Sequence, residues 1–118
     1  MQSNTGGPYN VAVGMRALRD NTTGGQNTAI GRECLYQNTT GNDNVAAGYQ
    51  ALGANTVGVQ NVAIGKDALG SSSTSNNNTA VGYSALSNVT TGEKNTAIGK
   101  DAGDSLTTGD RNIFIGNN

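Results

Sequence analysis

The pentapeptide Asn-Val-Ala-Ile-Gly at residues 61–65 is one copy of a short pattern that decides the fold of this chain. The pattern consists of Asn, one residue, Ala, an apolar residue and Gly, and each copy starts 17 residues after the one before it. The copies start at Asn10, Asn27, Asn44, Asn61, Asn78, Asn95 and Asn112. Since no residue is inserted or lost between copies, the chain is a strict tandem repeat.

The rest of each unit repeats almost as regularly. Seven residues after the Asn comes Ala, replaced once by Cys34, and the next residue is Leu in every full unit except the last, where Gly103 stands. Phe114 is the one departure at the Ala position of the pentapeptide. We interpret residues 1–118 as a single repeat domain. It contains a partial unit at 1–9, six full units at 10–111 and a partial unit at 112–118.

The composition excludes several classes of protein. The 118 residues include one Phe and no Trp, and hydrophobic residues make up 34%, which is too little for an ordinary globular core of this length. The formal net charge is −1 and there is no basic run, so nucleic acid is not an expected partner. No segment approaches the roughly 18 apolar residues of a membrane span, and residues 1–10 lack the features of a signal peptide.

A unit of 17 residues cannot fold alone, because it buries too little apolar surface to offset a backbone entropy cost of roughly 1–2 kcal/mol per residue. The β-branched residues around Thr28 and Ile30 suit a short strand, and segments such as Asn21–Gly24 have the chemistry of a turn. We therefore predict an all-β solenoid (β-roll) of about seven stacked coils. At a spacing of about 4.8 Å per coil its length is roughly 34 Å, with the repeated Asn residues forming an amide ladder.

A helical solenoid is the competing structural interpretation, since Met15–Asp20 and Tyr49–Gly53 could each form one helical turn. Repeats that combine a strand with a helix need about 20–29 residues, and two-helix repeats need more than 30. Gly and Asn also interrupt every unit. These observations favour the β-solenoid, with room for a short helical or 3₁₀ turn inside each coil.

The copies at 27–31, 61–65 and 95–99 resemble the head repeats of YadA-type trimeric autotransporter adhesins. The longer segment 82–99 is similar to arrays found in phage tail fibres and in bacterial surface proteins. The resemblance covers nearly the whole chain. It implies a left-handed β-roll that assembles as a parallel homotrimer and serves as a stalk, spacer or adhesive head.

Catalytic and metal sites find little support in the sequence. The absence of His excludes a Ser-His-Asp triad, a Cys-His pair and a histidine metal site. Asp67 and Asp101 fall in one predicted column two coils apart, roughly 10 Å, but the simpler interpretation is two surface charges beside lysines. The oxygen donors of 42–44 and Asp110 do not recur at a fixed phase, as a calcium-binding repeat requires. We expect no enzyme, no cofactor and no bound metal.

Two columns could form a ligand-binding surface. The first alternates aromatic and cationic residues, namely Tyr49, Lys66, Tyr83 and Lys100, and can be interpreted either as a glycan-binding face or as a ladder that keeps a surface soluble. The second is the nearly unbroken row of threonines that begins at Thr5 and continues through Thr22 to Thr107, which raises an ice-binding hypothesis. Its neighbour Thr23 is expected to point the other way, so a flat Thr array is disfavoured.

The two ends of the chain suggest a head-to-tail junction. Residues 112–118 supply the first part of a unit and residues 1–9 supply the last part. Together the two ends would make one coil that is a single residue short of the full 17. The residues at such a junction are Pro8, Tyr9, Ile113, Phe114 and Ile115. The alternative is a fragment cut from a longer array in phase with its repeat.

From these observations we expect a non-enzymatic structural protein that forms an extracellular fibre at a cell or virion surface. Its expected partner is itself, as a homotrimer or as a head-to-tail filament. A glycan-binding adhesive module is the rival function, with a cell-surface glycan as its partner.

Overall fold

A computed structural model describes residues 4–118, so the first three residues of the partial unit 1–9 lie outside the described residues. Seven strands of three residues each lie at the same place in successive units and form one parallel sheet in sequence order. They are β1 (Val11–Val13), β2 (Thr28–Ile30), β3 (Val45–Ala47), β4 (Val62–Ile64), β5 (Thr79–Val81), β6 (Thr96–Ile98) and β7 (Ile113–Ile115).

Each strand pairs with the next at a register of 17 residues, so that Ala46 lies opposite Ala63 and Ala63 opposite Ala80. Between strands the chain makes one complete turn of a solenoid, and about six turns give a rod measuring 39 × 22 × 17 Å. No helix occurs within residues 4–118. The all-β solenoid predicted from the period is therefore confirmed.

The corners of each coil depend on left-handed backbone conformations at residues other than glycine. In the second unit these are Glu33, Leu35 and Asp43, with φ values of 58°, 47° and 58°, and the equivalent positions repeat them along the rod. The same conformation at Arg16 and Leu18 ends the helical turn that Met15–Asp20 could have formed. This segment is instead a series of turns, because a left-handed residue cannot continue a right-handed helix.

The core is narrow and contains small apolar groups. The middle residue of each strand points inward, which is why Ala29, Ala46, Ala63, Ala80 and Ala97 are fully buried. Across the core they meet the buried Leu residues, from Leu18 to Leu86, and the Ala or Cys beside each of them. Consequently the first and third residues of each strand, mostly β-branched, point outward.

The two departures from the repeat compensate for each other. Phe114 occupies the inward Ala position of β7 and packs against the core, where it needs more space than a methyl group. A Cβ added at Gly103 would lie 2.7 Å from Phe114 Cδ2, so the Leu that other units carry at this position could not fit. Gly103 thus makes room for Phe114, and its φ of 64° keeps the left-handed corner without strain.

Candidate functional site

The seven Asn residues that mark the repeat lie in one column beside the strands. In a central coil, Asn61 Oδ1 accepts from the backbone N–H of Asn78 at 3.0 Å, and Asn61 Nδ2 donates to the Ser75 carbonyl at 2.8 Å. The same pair of bonds, to an Asn amide and to a Gly carbonyl, recurs from Asn10 to Asn95. Each side chain therefore ties two neighbouring coils together, with both its donor and its acceptor in use.

A second amide ladder was not predicted from the sequence. Asn38 Nδ2 donates to Asn21 Oδ1, and Asn55 Nδ2 to Asn38 Oδ1, each at 2.8 Å. The signal was present in the sequence, since Asn opens the tetrapeptide Asn-Thr-Thr-Gly at a fixed phase, but we interpreted those residues only as turns. The ladder stops where Ser72 replaces Asn, and Asn55 Oδ1 remains buried without a hydrogen-bond partner among residues 4–118.

The outward side of the sheet, which we call the strand face, is predominantly apolar, with three threonines among its aliphatic residues. It consists of two side chains from each strand and carries no charged residue: Val11, Val13, Thr28, Ile30, Val45, Ala47, Val62, Ile64, Thr79, Val81, Thr96, Ile98, Ile113 and Ile115. Its aliphatic members are unusually accessible for their size, with Ile30 48% and Ile98 45% exposed. A predominantly apolar surface of this kind is a candidate interaction site.

The column proposed as a ligand face has its tyrosine rings flanked by cations. Lys66 Nζ lies 5.7 Å from the ring centroid of Tyr49 and 5.1 Å from that of Tyr83. Arg32 approaches Tyr49 from the other side at 5.6 Å, and Lys100 approaches Tyr83 at 6.0 Å. Because both rings are engaged by cations from the coils on either side, this column resembles a surface ladder more than an open stacking platform.

The residues proposed for a head-to-tail junction are divided between opposite ends of the rod. Pro8 and Tyr9 belong to the first coil, where the Pro8 carbonyl accepts from Gln26 and Tyr9 is 85% exposed. Ile113 and Ile115 are exposed members of the strand face, whereas Phe114 points into the core. Within one chain these five residues do not form one surface.

The acidic and amide groups considered for catalysis or metal binding are engaged within the protein. Asp67 forms an ion pair with Lys66, and Asp101 forms one with Lys100 at 2.8 Å. Asn42 Oδ1 accepts from the Gly25 amide at 2.7 Å. Asp110 Oδ1 likewise accepts a backbone amide of the neighbouring coil. Across residues 4–118 no group of three or more Cys, Asp or Glu side chains could hold a metal ion.

The threonine column also forms hydrogen bonds between neighbouring coils. The hydroxyl groups of Thr22, Thr39 and Thr56 each donate to the carbonyl of the equivalent residue in the next coil, at 2.9–3.0 Å. Since these hydroxyls are occupied and the residues are half-buried, they do not form the regular exposed array that an ice-binding surface needs.

A groove that was not predicted lies beside the corner that follows the sheet. It has a volume of about 650 Å³, and we call it the polar groove. Glu33, Gln50, Asp67 and Ser84 form one wall, and Tyr36, Gly53, Gly70 and Ser87 form the floor. Gln37, Ala54, Ser71 and Asn88 complete it on the other side. The sequence did not reveal it because the two walls are separate columns whose proximity depends on the path of the coil.

Glu33 is the most buried carboxyl group of the groove. It accepts hydrogen bonds from Gln50 Nε2 at 3.1 Å and from Arg16 Nη1 at 3.2 Å. Burial raises the pKa of Glu33, but the hydrogen bond from Gln50 and the positive charge of Arg32 lower it by more. The net result is a pKa below the usual range, so that this carboxyl group is ionised at neutral pH and lacks a proton to donate.

Cys34 provides a test of how tightly the coils stack. Its thiol is fully buried in the Ala column, and burial raises its pKa to about 11 from an ordinary value of 9.0. The unfolded thiol therefore ionises first, and stability should fall as the pH rises from about 9 to about 11. We expect urea midpoints to show this loss and the Cys34→Ala variant to lack that component. An identical pH profile for Cys34→Ala would contradict the buried thiol.

The part of the chain that the structure describes contains no helix long and apolar enough to cross a membrane. Comparison with known proteins finds no family model, no curated protein and no solved structure that matches this chain.

Proposed function

We propose that this chain is a non-enzymatic structural protein, a rod whose copies associate side by side through the strand face to build an extracellular fibre at a cell or virion surface. The observation that supports this most directly is the predominantly apolar, uncharged outer side of a seven-stranded sheet. The surrounding columns carry Lys, Arg, Asp and Glu, so that the strand face differs in character from the rest of the surface.

A second copy of the chain is the partner that fits this face best. The coils repeat every 17 residues with the strands in register, so two parallel rods present equal spacings and each strand can meet its equivalent. All of its side chains except Ala47 are β-branched, which gives a regular surface that can pack against itself. The resemblance to adhesin heads implies a parallel homotrimer, and in our proposal the strand faces lie towards its axis.

The size of the face suggests association of moderate strength. Seven strands at about 4.8 Å and three residues at about 3.3 Å give a flat footprint of roughly 330 Å². This equals a large surface patch, but it is below the roughly 800 Å² that each partner contributes to a standard interface. We therefore expect assembly that depends on protein concentration.

The arrangement of ionisable groups supports a role other than catalysis. The carboxyl groups of the polar groove already form ion pairs, and Glu33 has a lowered pKa, whereas a general acid needs a raised one. The tyrosines of the alternating column are flanked by cations, which weakens the proposal that this column is the adhesive face.

Sedimentation velocity over a range of concentrations tests the assembly. Ile64 is 42% exposed at the centre of the strand face, and Val57 is 46% exposed outside the strands, so they form a matched pair. We expect the wild type and Val57→Glu to form oligomers of the same mass, and Ile64→Glu to remain monomeric with an unchanged circular dichroism spectrum. A monomeric wild type at high concentration, or equal assembly of Ile64→Glu, would overturn the proposal.

A further inference from the structure

The polar groove exists because one column of the solenoid loses its side chains over two consecutive coils. This column, which we call the floor column, contains Arg19, Tyr36, Gly53, Gly70, Ser87 and Asp104 in order along the rod. Arg19 and Tyr36 stand at one end of the column, Ser87 and Asp104 stand at the other, and the two glycines lie between them. The groove is therefore a local depression in a surface that otherwise repeats.

The backbone does not require glycine at either position. Gly53 and Gly70 are absent from the residues with positive φ, and the equivalent residues Tyr36 and Ser87 carry side chains on the same path. A Cβ at Gly53 would meet only the Gln50 carbonyl at 3.1 Å, a tight but adjustable contact. The glycines thus provide empty space and no conformational advantage.

Tyr36 offers an open aromatic surface at one end of this space. Arg19 stacks on one side of the ring, with its guanidinium carbon 3.7 Å from the centroid, and also donates to the Tyr36 hydroxyl group. The next residue of the floor column is Gly53, so no side chain of that column covers the other side of the ring. Arg19 thus holds the ring in place from one face, and the apolar face of a ligand can stack on the other, uncovered face.

The walls provide hydrogen-bonding groups without a free positive charge. No Lys or Arg lines the groove, and the negative charges of Glu33 and Asp67 are balanced by ion pairs outside it. The hydroxyl groups of Ser71, Ser84 and Ser87 make no side-chain hydrogen bond within residues 4–118, so they are available to a ligand. This chemistry favours a neutral, polyhydroxylated ligand and disfavours an anion.

The backbone of the groove is closed to an added strand. Gln37 donates its amide proton to the Gly53 carbonyl, Ala54 to Gly70 and Ser71 to Ser87, at 3.1–3.3 Å. A peptide would therefore find neither an unpaired strand edge nor an apolar pocket.

We propose that the polar groove binds a neutral oligosaccharide that runs along the rod, with one sugar ring stacked on Tyr36. From Glu33 to Ser84 the wall spans three coil spacings, or roughly 14 Å, which accommodates about three pyranose rings. This proposed glycan site lies on a different surface from the Tyr49 and Tyr83 column that the sequence suggested. It does not depend on how copies of the rod assemble.

Titration of the isotope-labelled full chain with neutral trisaccharides tests this site. The probes are cellotriose, maltotriose, mannotriose and chitotriose, with a heparin trisaccharide as the anionic control. We expect at least one neutral probe to shift the amide resonances of Gly53 and Gly70 in a saturable way, and the heparin fragment to leave them unchanged.

Three variants identify the surface. Gly53→Tyr places in the groove a side chain that the floor column already carries at residue 36, and Tyr36→Ala removes the stacking surface without filling space. Each should weaken binding at least tenfold, while Tyr83→Ala should bind like the wild type. The proposal is overturned if no neutral probe titrates Gly53 and Gly70, if heparin binds there equally well, or if both groove variants keep their affinity.

Discussion

Gly65→Ala should destabilise the rod by several kcal/mol, because it combines backbone strain with a clash against the next coil. Gly65 follows β4 with a φ of 131°, a conformation that residues with a Cβ rarely adopt. The added Cβ would lie 2.4 Å from the carbonyl oxygen of Gly82 and 2.6 Å from its carbon, both in the backbone of the next coil. Backbone strain costs about 1–3 kcal/mol, and separating the coils adds to it.

Alanine substitutions at two other glycines distinguish the cost of backbone strain from the cost of the clash. Gly116 has nearly the same φ, 128°, but a Cβ there would meet nothing within 4 Å, so Gly116→Ala carries the strain without the clash. Gly53 lacks a positive φ and a severe clash. From urea unfolding we expect a loss of at least about 3 kcal/mol for Gly65→Ala, about 1–2 for Gly116→Ala and less than about 1 for Gly53→Ala. Equal losses for Gly65→Ala and Gly53→Ala would show that the coils do not approach this closely.

Because Gly65 lies near the middle of the rod, Gly65→Ala should also change the breadth of the unfolding transition. In a solenoid each coil contacts only its neighbours, so stability is close to a sum of coil and interface contributions. A defect at Gly65 weakens the central interface and should separate the unfolding of the two halves. We expect a broader transition for Gly65→Ala than for the wild type.

The period predicts the fold because a strict 17-residue spacing permits only stacking of equivalent residues. The spacing does not determine which side of the strand faces inward. The β-branched residues at Val62 and Ile64 suggest a core more strongly than Ala63 does, yet the structure buries Ala63. The reason is that Leu residues and two Asn columns already fill a narrow interior, which leaves space for one methyl group from each strand.

The surfaces could be predicted only in part. A column is visible in the sequence, since its members are 17 residues apart, and this was sufficient to place Tyr49 beside Lys66. The contact between two columns depends on corners such as Leu35, where an apolar residue adopts a left-handed conformation that its side chain does not favour. The polar groove lies at such a corner, so its walls were recognisable only in the structure.

Asn61→Ala is the substitution that tests the amide ladder. Removing this buried side chain leaves the backbone N–H of Asn78 and the carbonyl of Ser75 without the partners that they have at 3.0 and 2.8 Å. A buried polar group without a partner costs about 1–3 kcal/mol, so we expect a loss of about 3–5 kcal/mol in urea unfolding. A domain of ordinary stability has about 5–15 kcal/mol in total, so this single substitution should remove a large fraction of it.

Asn112→Ala is the matched control, because Asn112 is the last of the column and is partly exposed. Its amide donates to Asn95 Oδ1 at 3.0 Å, but that oxygen also accepts from the Asn112 backbone at 2.9 Å and keeps this partner after the substitution. We expect a loss below about 1 kcal/mol for Asn112→Ala. Similar losses for the two variants would mean that the ladder contributes no more inside the rod than at its end.

Asn61→Asp removes the hydrogen-bond donor of this side chain and keeps its acceptor. The carboxylate can still accept from the Asn78 amide, but it would face the Asn44 Oδ1 atom and the Ser75 carbonyl, which now receive 3.2 and 2.8 Å hydrogen bonds. Burial among acceptors should raise the pKa of the new carboxyl group in the folded state. Stability is then lowest at neutral pH and increases as the pH falls through that pKa, because the protonated group can donate again. A variant whose stability only decreases on acidification would show that the donor of Asn61 is dispensable.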